Sequence, residues 1–411
     1  MLWQNRDFLK LWAGQTVSLF GTLLGALPFT AIFIIHASAM EMALLSAAQM
    51  LPGFLAGLVA GAWVDRLRRR PLMIAADLGR AALLGSIFVA AWFDVLRIEH
   101  LFAAAFATGA LTILFDVAYH AYLPTIVEPR ALTEGNAKLA ASASVAEAGS
   151  FSAGGWVVQF ASAQAAVLAD ALSFIVSAMC LGAIRAPEPQ PSPRGEREGI
   201  LPEIGEGLRV LFVDPALRAL ALANIARHFG YGAIGAVILL FVTEGELGMS
   251  PGLVGVIFAV GGVSSLFGAG LAGRAARRFG VGPAMVCGLS VAAVASLCIP
   301  LAPDSSLTGI AFLVAQQLFG DAADTVFDIN EISLRQALVP ARLLGRIEAS
   351  IRFLSLGVML LGALAAGVIA SQVDLRAALV TGTMGMAAAS LFVLFSPARQ
   401  VRTIDGPKGL H

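Results

Sequence analysis

Twelve apolar runs divide the chain, and polar positions are gathered in the short segments between them. The runs lie at residues 11–35, 42–64, 72–93, 101–123, 139–160, 164–184, 218–242, 251–273, 282–302, 307–334, 348–371 and 376–396. A helix needs roughly 20 apolar residues to cross the hydrocarbon of a bilayer. Inside it every backbone N–H and C=O must be satisfied within the protein. The pattern therefore predicts an all-α membrane protein with twelve transmembrane helices. Most connectors are too short to hold a soluble domain. The longer one, Arg185 to about Pro202, holds Pro187, Pro189, Pro191 and Pro193 among mixed charges and reads as an extended linker. Leu208, Leu211 and Phe212 then predict a short amphipathic helix before Pro215. The expected division is a first bundle at 1–185, a linker at 186–215, a second bundle at 216–397 and a polar tail at 398–411.

The halves repeat. A shift of 212 residues (283 − 71 = 212) lays Gly273 through Pro283 on Gly61 through Pro71, and Arg218 on Arg6. The same shift lays Phe327-Asp328-Ile329 on Phe115-Asp116-Val117, and Gly367 on Gly155. Apolar helices resemble one another by composition, but matched Asp, Arg and Pro positions at one constant shift do not arise that way. Two pseudo-symmetric six-helix bundles follow, as parallel repeats about an axis normal to the membrane.

Composition agrees with this class: 58% of residues are hydrophobic and 13% charged, with a mean hydropathy of +0.82. Soluble domains have about 25% charged residues. Net charge is zero, with 27 basic and 27 acidic residues, so nothing points to nucleic acid. Placing the amino terminus inside puts every Lys and Arg except Arg97 and Arg376 in inner segments or inner halves of helices. By the positive-inside rule both termini are then cytoplasmic. Cys180, Cys287 and Cys298 lie inside apolar runs with no disulfide or metal spacing. The five His have none either, so no metal and no cofactor is expected. Ala37-Ser38-Ala39 looks like a signal-peptidase site, but the run before it is too long for a signal core and reads as an uncleaved helix. Gly53, Gly57 and Gly61 form a small-residue stripe that reads as tight helix packing or as a sliding surface.

An ionisable side chain at the centre of a membrane helix costs at least about 2.5–3.5 kcal/mol, which makes it a candidate for function. The tenth run holds four: Asp321, Asp324, Asp328 and Glu331. Their spacing keeps them within an arc of roughly 80° over about 15 Å of helix. Four like charges on one stripe cannot all stay ionised cheaply, as a proton relay or an organic-cation site requires. Asp328 and Glu331 could equally meet water or Arg335. Asp116, repeat partner of Asp328, joins the list. So do Glu147 and Asp170, each a coupling carboxylate or a satisfied packing contact. Arg227 and Arg352 are the candidate countercharges, although Glu348 and Arg352, four residues apart, could pair with each other. Asp77 and Arg80 lie near the basic end of the third run and read as braces for the basic loop. Gly268-Ala269-Gly270-Leu271-Ala272-Gly273 matches a dinucleotide fingerprint only on paper, since no strand precedes it. No phosphate-binding Gly-Lys-Ser or Gly-Lys-Thr exists, so the chain contains no ATP site and no enzyme is expected.

The connector Gly61-Ala62-Trp63-Val64-Asp65-Arg66-Leu67-Arg68-Arg69-Arg70-Pro71 resembles the loop signature of the major facilitator superfamily. Gly61, Asp65, Arg66, Arg69 and Arg70 carry the match, and Arg68 stands where the signature has a second Gly. In the second half Gly273, Arg277 and Arg278 occupy the corresponding loop, with Arg277 in place of Asp65. The resemblance covers nearly the whole chain and implies a gate: Asp65 with Arg66 and Arg69 would form a charge network that sets the balance of two conformations. Within the superfamily the chain is similar to bacterial exporters of the macrolide-efflux and enterobactin-exporter group. The supporting segments are Asn5-Arg6-Asp7-Phe8-Leu9-Lys10-Leu11-Trp12, Phe115-Asp116-Val117-Ala118-Tyr119, Leu132-Thr133-Glu134-Gly135-Asn136 and Asp170-Ala171-Leu172-Ser173-Phe174. The Gly-Pro often found before Gly154-Gly155 in exporters is replaced by Ser150-Phe151. The implied activity is proton-coupled export of a lipophilic, optionally cationic, small molecule from a monomer in the cytoplasmic membrane. The alternatives are export of an anionic siderophore or lipid-like molecule held by Arg227 and Arg352, and a non-transporting scaffold or sensor.

Overall fold

A computed structural model describes residues 2–56, 67–188 and 200–403. Among these residues the chain is helical, with no strand. The first run is broken into α1 (Arg6–Thr22) and α2 (Ala26–Phe33) at Gly25, whose φ of 70° lies in the left-handed region that glycine tolerates. The next five runs form α3 (Ala39–Ala56), α4 (Arg69–Trp92), α5 (Ile98–Ile126), α6 (Leu132–Phe160) and α7 (Ala163–Gly182). In the linker region stands α8 (Ile200–Val213), and α9 (Pro215–Thr243) and α10 (Pro251–Phe279) follow. The ninth run bends between α11 (Val281–Ser296) and α12 (Cys298–Leu301). The tenth comprises α13 (Leu307–Ala315), a π turn at Gln316–Gly320 and α14 (Asp321–Leu338). Finally α15 (Ala341–Gln372) and α16 (Leu375–Leu394) account for the last two.

Among the described residues nine segments are long and apolar enough to cross a membrane, each on one of the twelve predicted runs. The other three are not among them: the second run is described only to Ala56, the fifth is rich in Ala, Ser and Gly and carries Glu147, and the tenth is split by the π turn and holds the carboxylate stripe. Gly57 and Gly61 of the small-residue stripe lie outside the described residues.

Helix starts follow local chemistry. Asn5 accepts the N–H groups of Asp7 and Phe8 at 3.1 Å, capping α1. Asp214 accepts those of Ala216 and Leu217 at 2.8 Å, with Pro215 at the first helical position. Ser162 caps α7 and Asp374 caps α16, and these two residues are 212 apart (374 − 162), so the repeat extends to the caps.

Two compact units emerge: Met1–Ala37 with Ala47–Gly195 and Ser250–Ala259, and Ser38–Ser46 with Glu196–Met249 and Val260–His411. The first is built around Phe8, Leu11, Met73, Phe115 and Tyr122. Its basic end is tied together by main-chain capping. Lys10 donates to Ala183 O at 2.6 Å, and Arg70 Nε to Leu181 O at 2.9 Å, so two cations meet the carbonyl end of α7. Glu188 accepts the N–H groups of Arg69 and Arg70, placing a carboxylate on the N-terminus of α4. Arg69 Nη1 also donates to Ala121 O at 2.8 Å. In the second unit Arg376 pairs with Glu246 and donates to the carbonyls of Pro300 and Ala302. That gives one of the two basic residues outside the positive-inside pattern a structural task.

In the second unit α9 lies against α15 and α16 with glycines at the closest approaches. A Cβ at Gly232 would stand 1.9 Å from Met359 O, one at Gly362 2.2 Å from Phe229 O, and one at Gly230 2.6 Å from Gly382 O. Membrane helices associate by such van der Waals closeness rather than by expelling water. Gly232→Ala should therefore lower stability by about 1–3 kcal/mol, the range for overpacking. The control is Gly235→Ala, whose Cβ would meet nothing within 4 Å. Equal thermal midpoints of the two variants in detergent would refute the packing assignment.

Candidate functional site

The close approach of α9 carries Asn224, Arg227 and Tyr231 on one helical face, at spacings of three and four residues. Opposite stands the stripe of α14. Asp321, Asp324, Asp328 and Glu331 all follow the π turn, so their helical spacing is regular and the predicted common face is kept. The π turn itself is held from α10, where Ser264 Oγ donates to Gln317 O at 2.6 Å. Single π turns inside α-helices are frequent at functional sites.

The four carboxylates have different partners. Arg227 Nη2 donates to Asp328, and Arg227 Nη1 stands 3.5 Å from Asp324 Oδ1. Tyr231 donates its hydroxyl to Asp324 Oδ2 at 2.6 Å. The Arg227 guanidinium lies 4.8 Å from the centre of the Phe327 ring and 5.4 Å from that of Tyr231, so aromatic faces complete its surroundings. Arg227 Nε and Nη1 and Asp324 Oδ1 are buried and find no hydrogen-bond partner among the described residues. Further along the stripe, Asn224 Nδ2 donates to Glu331 Oε1 at 3.3 Å, and Arg335 Nη1 donates to the same oxygen at 3.0 Å. Arg335 Nη2 then reaches Glu348 on α15 at 2.9 Å. A chain of ionisable and polar groups thus runs Tyr231, Asp324, Arg227, Asn224, Glu331, Arg335, Glu348, with Asp328 as a branch on Arg227 and Arg227 Nη2 reaching Asn224 Oδ1 at 3.4 Å.

Asp321 stands apart from that chain. Its Oδ2 fills the space that Gly261 of α10 leaves open, since a Cβ there would lie 2.0 Å away. It makes no ion pair among the described residues.

In the first unit Asp116 and Asp170 gather around Arg80. Arg80 Nη2 donates to Asp77 and Nη1 to Thr112 Oγ1 at 3.3 Å, while Asp116 and Asp170 act on its charge from α5 and α7. Sequence proximity sets Asp77 and Arg80 as braces for the basic loop, and the structure corrects this. Asp77 is fully buried and the two pair within the unit, with Arg80 between the rings of Phe115 (4.6 Å) and Phe174 (4.1 Å). A buried carboxylate needs a partner inside the same helix layer, and Arg80, three residues on, is the nearest.

The remaining candidates fall elsewhere. Glu147 is exposed on α6, and Arg352 is exposed on α15. The alternative Glu348–Arg352 pair does not form, because Glu348 turns to Arg335. Arg335 is buried where Arg352 is exposed, so the charge that Glu348 meets there is less screened by water. Gly61, Asp65 and Arg66 lie outside the described residues. Arg69 and Arg70 serve the capping network given above, and Gly273, Arg277 and Arg278 are exposed near the end of α10. No group of three or more His, Cys, Asp or Glu that could hold a metal occurs among the described residues.

A family model described as Major Facilitator Superfamily matches residues 11–320. An uncharacterized MFS-type transporter of Bacillus subtilis is 26% identical over 92% of this chain and 91% of its own length. Macrolide efflux protein A of Streptococcus pyogenes is also 26% identical, over 57% of this chain and 58% of its own. Among solved structures, a bacterial homologue of the iron transporter ferroportin in an inward-facing state is similar in fold. It has a TM-score of 0.75 at 16% identity, covering 95% of this chain and 98% of that one. The nucleoside transporter NupG (D323A mutant) reaches 0.72 at 10% identity, over 95% and 98%.

Proposed function

Because the chain belongs to the major facilitator superfamily and is a multi-pass secondary transporter, we propose that it exports a lipophilic small molecule in exchange for protons, with the α9–α14 cluster as its coupling site. The observation that carries this reading is a charge imbalance. Among the described residues the buried or half-buried Asp321, Asp324, Asp328 and Glu331 meet two cations, Arg227 and Arg335, an excess of two negative charges (4 − 2 = 2) when all are ionised, before the exposed Glu348 is counted. Uncompensated charge away from water is expensive, so the cluster is served by protons or by a cationic substrate that exchanges with them. Asp321, without an ion-pair partner, is the first group to exchange. Arg227 holds Asp324 and Asp328 in place, and Glu331, Arg335 and Glu348 extend the path along α14. The name of the macrolide exporter that matches over half of this chain supports a lipophilic substrate and the outward direction. Placement in the cytoplasmic membrane with both termini inside rests on the distribution of Lys and Arg.

A second reading has its own observation. Arg227 Nε and Nη1 are buried without hydrogen bonds, and they would suit an oxygen of an anionic, siderophore-like substrate.

The test is purified protein in liposomes enclosing a pH-sensitive dye, under an imposed proton gradient. Tetraphenylphosphonium, erythromycin and an anionic catecholate chelator are added in turn. Proton movement triggered by either of the first two, and absent in Asp321→Asn/Asp324→Asn, is the expected result. Movement triggered only by the chelator, and lost in Arg227→Lys, would establish the second reading. Substrate flux without any proton movement would overturn coupling.

A further inference from the structure

The amino-terminal ends of α4 and α11 are repeat equivalents, as are the carboxy-terminal ends of α7 and α16, yet the two halves treat charge there differently. In the first half the Arg70 side chain donates to Leu181 O and Gly182 O, and the Glu188 carboxylate accepts the N–H groups of Arg69 and Arg70. Cation and anion are both engaged inside the protein. Adding 212 to 70 and 188 gives Gly282 and Gln400, so the second half has neither charge at these positions. It has Arg399 and Arg402 instead, where the first half has Pro187 and Gln190. The N-terminus of α11 is satisfied by main chain: Gly282 N–H donates to Val401 O at 2.8 Å and Val281 N–H to Arg402 O at 3.3 Å. Gly282 permits that closeness, since a Cβ there would lie 2.2 Å from Ala398 O. The backbone after α16 is thus pinned, and its two guanidinia are left over.

Between α11, the end of α16 and this segment lies an open groove of about 480 Å³. Pro283, Val286, Cys287 and Leu394 form its apolar floor, and Arg399, Gln400 and Arg402 its polar edge. No carboxylate lines it. Arg399 Nη1 donates to Leu394 O at 3.1 Å and Arg402 Nη1 to Phe279 O at 3.3 Å. Among the described residues neither guanidinium has another hydrogen bond or an ion pair. A guanidinium has five N–H donors in a fork that fits phosphate two at a time, so most of both forks is unused. We propose that the groove binds one anionic phospholipid of the surrounding bilayer, with the phosphodiester held by Arg399 and Arg402 and an acyl chain laid along Val286, Cys287 and Leu394. Charge complementarity sets the class. Two cations without a carboxylate take a phosphate, and they offer no partner to the ammonium of a choline or ethanolamine headgroup. The floor sets the source. A free phosphate would leave its apolar side chains open to water, whereas an acyl chain covers them. Basic pockets between membrane helices at the headgroup layer suit such lipids. On the orientation proposed from Lys and Arg the lipid belongs to the cytoplasmic leaflet, but the site depends on neither that orientation nor proton coupling.

Native mass spectrometry of the purified transporter, released from detergent micelles holding phosphatidylglycerol or phosphatidylcholine, measures the affinity for the first lipid bound. The wild type should hold phosphatidylglycerol in preference to phosphatidylcholine, and Arg399→Gln/Arg402→Gln should weaken phosphatidylglycerol binding by about tenfold or more. Arg218→Gln/Arg274→Gln removes two exposed arginines outside the groove and should bind as the wild type does. Cys287→Trp fills the groove from an exposed position and leaves both guanidinia in place. It should lose the lipid as well, and it decides the matter where the groove arginine pair does not fold. Equal first-lipid affinity in the wild type and Cys287→Trp, or an equal loss from both arginine pairs, would overturn the site in favour of a diffuse basic face. Equal affinity for the two lipids would overturn the selection by charge. Displacement of the lipid by millimolar inorganic phosphate would overturn the lipid assignment in favour of free phosphate. Binding that needs removal of residues 404–411 would make the tail the occupant and overturn it too.

Discussion

Arg227→Met should lower the stability of the transporter by about 3–5 kcal/mol, the range for removing one partner of a buried ion pair. The expectation rests on what would be left behind. Asp324 is buried and Asp328 is half-buried, and both now take their only ion-pair contact among the described residues from Arg227. Met fills much of the volume and keeps the contact with the Phe327 ring, so the loss would report charge rather than a cavity. Adding Asp324→Asn and Asp328→Asn should return most of the stability, because a pair removed together leaves no orphaned charge. Thermal unfolding in detergent, followed by the fraction remaining monodisperse on gel filtration, measures all three forms. If the triple variant is no more stable than Arg227→Met, Arg227 holds the bundle by packing and not by neutralising these carboxylates.

The stripe on α14 is legible in the sequence because a run of apolar residues sets off every charge within it, and helical spacing places all four on one face. The partner on α9 is legible for the same reason: Arg227 is a cation inside an apolar run. Tyr231 and Asn224 escape a sequence reading although they stand four and three residues from Arg227 and so share its face. Neither is charged, and neutral polar residues do not stand out against the other polar positions of a membrane helix. Asp77 and Arg80 are visible but misplaced. Proximity along the chain sets them beside the basic loop, whereas depth in the layer is set by burial, and Asp77 is fully buried. The different fates of Glu348 and Arg352 are open in the sequence, since i,i+4 spacing permits a local pair and says nothing of Arg335 on another helix. The π turn before Asp321 carries no signal in residue type at all. It is held by Ser264 from α10, a contact known only from the fold.

The repeat adds an asymmetry with consequences for mechanism. Both halves keep the aromatic and the following aspartate, Phe115-Asp116 and Phe327-Asp328. One turn earlier they differ, with Thr112 in the first half and Asp324 in the second. The Thr hydroxyl is one more donor-acceptor around Arg80, while Asp324 adds a charge. The second half also has Asp321 where the first has Gly109, and Glu331 where it has Tyr119. The second half therefore collects carboxylates along one helix. The first has its three, Asp77, Asp116 and Asp170, on α4, α5 and α7.

Asp321→Asn/Asp324→Asn should abolish uphill export while leaving exchange of substrate for substrate in place. Each proton exchanged across one pH unit supplies about 1.4 kcal/mol, enough for a tenfold substrate gradient. Wild-type liposomes with one pH unit across the membrane should thus hold at least about a tenfold gradient of the transported compound, and the double variant should fall to an even distribution. Exchange survives because Asn keeps the shape of each side chain and a hydrogen-bonding group toward Tyr231, and Arg227 keeps its contact with Asp328. The two assays on one preparation separate coupling from the conformational cycle. Loss of exchange together with accumulation would mean that the pair binds substrate or supports the helix packing. A full tenfold gradient in the double variant would move coupling away from α14.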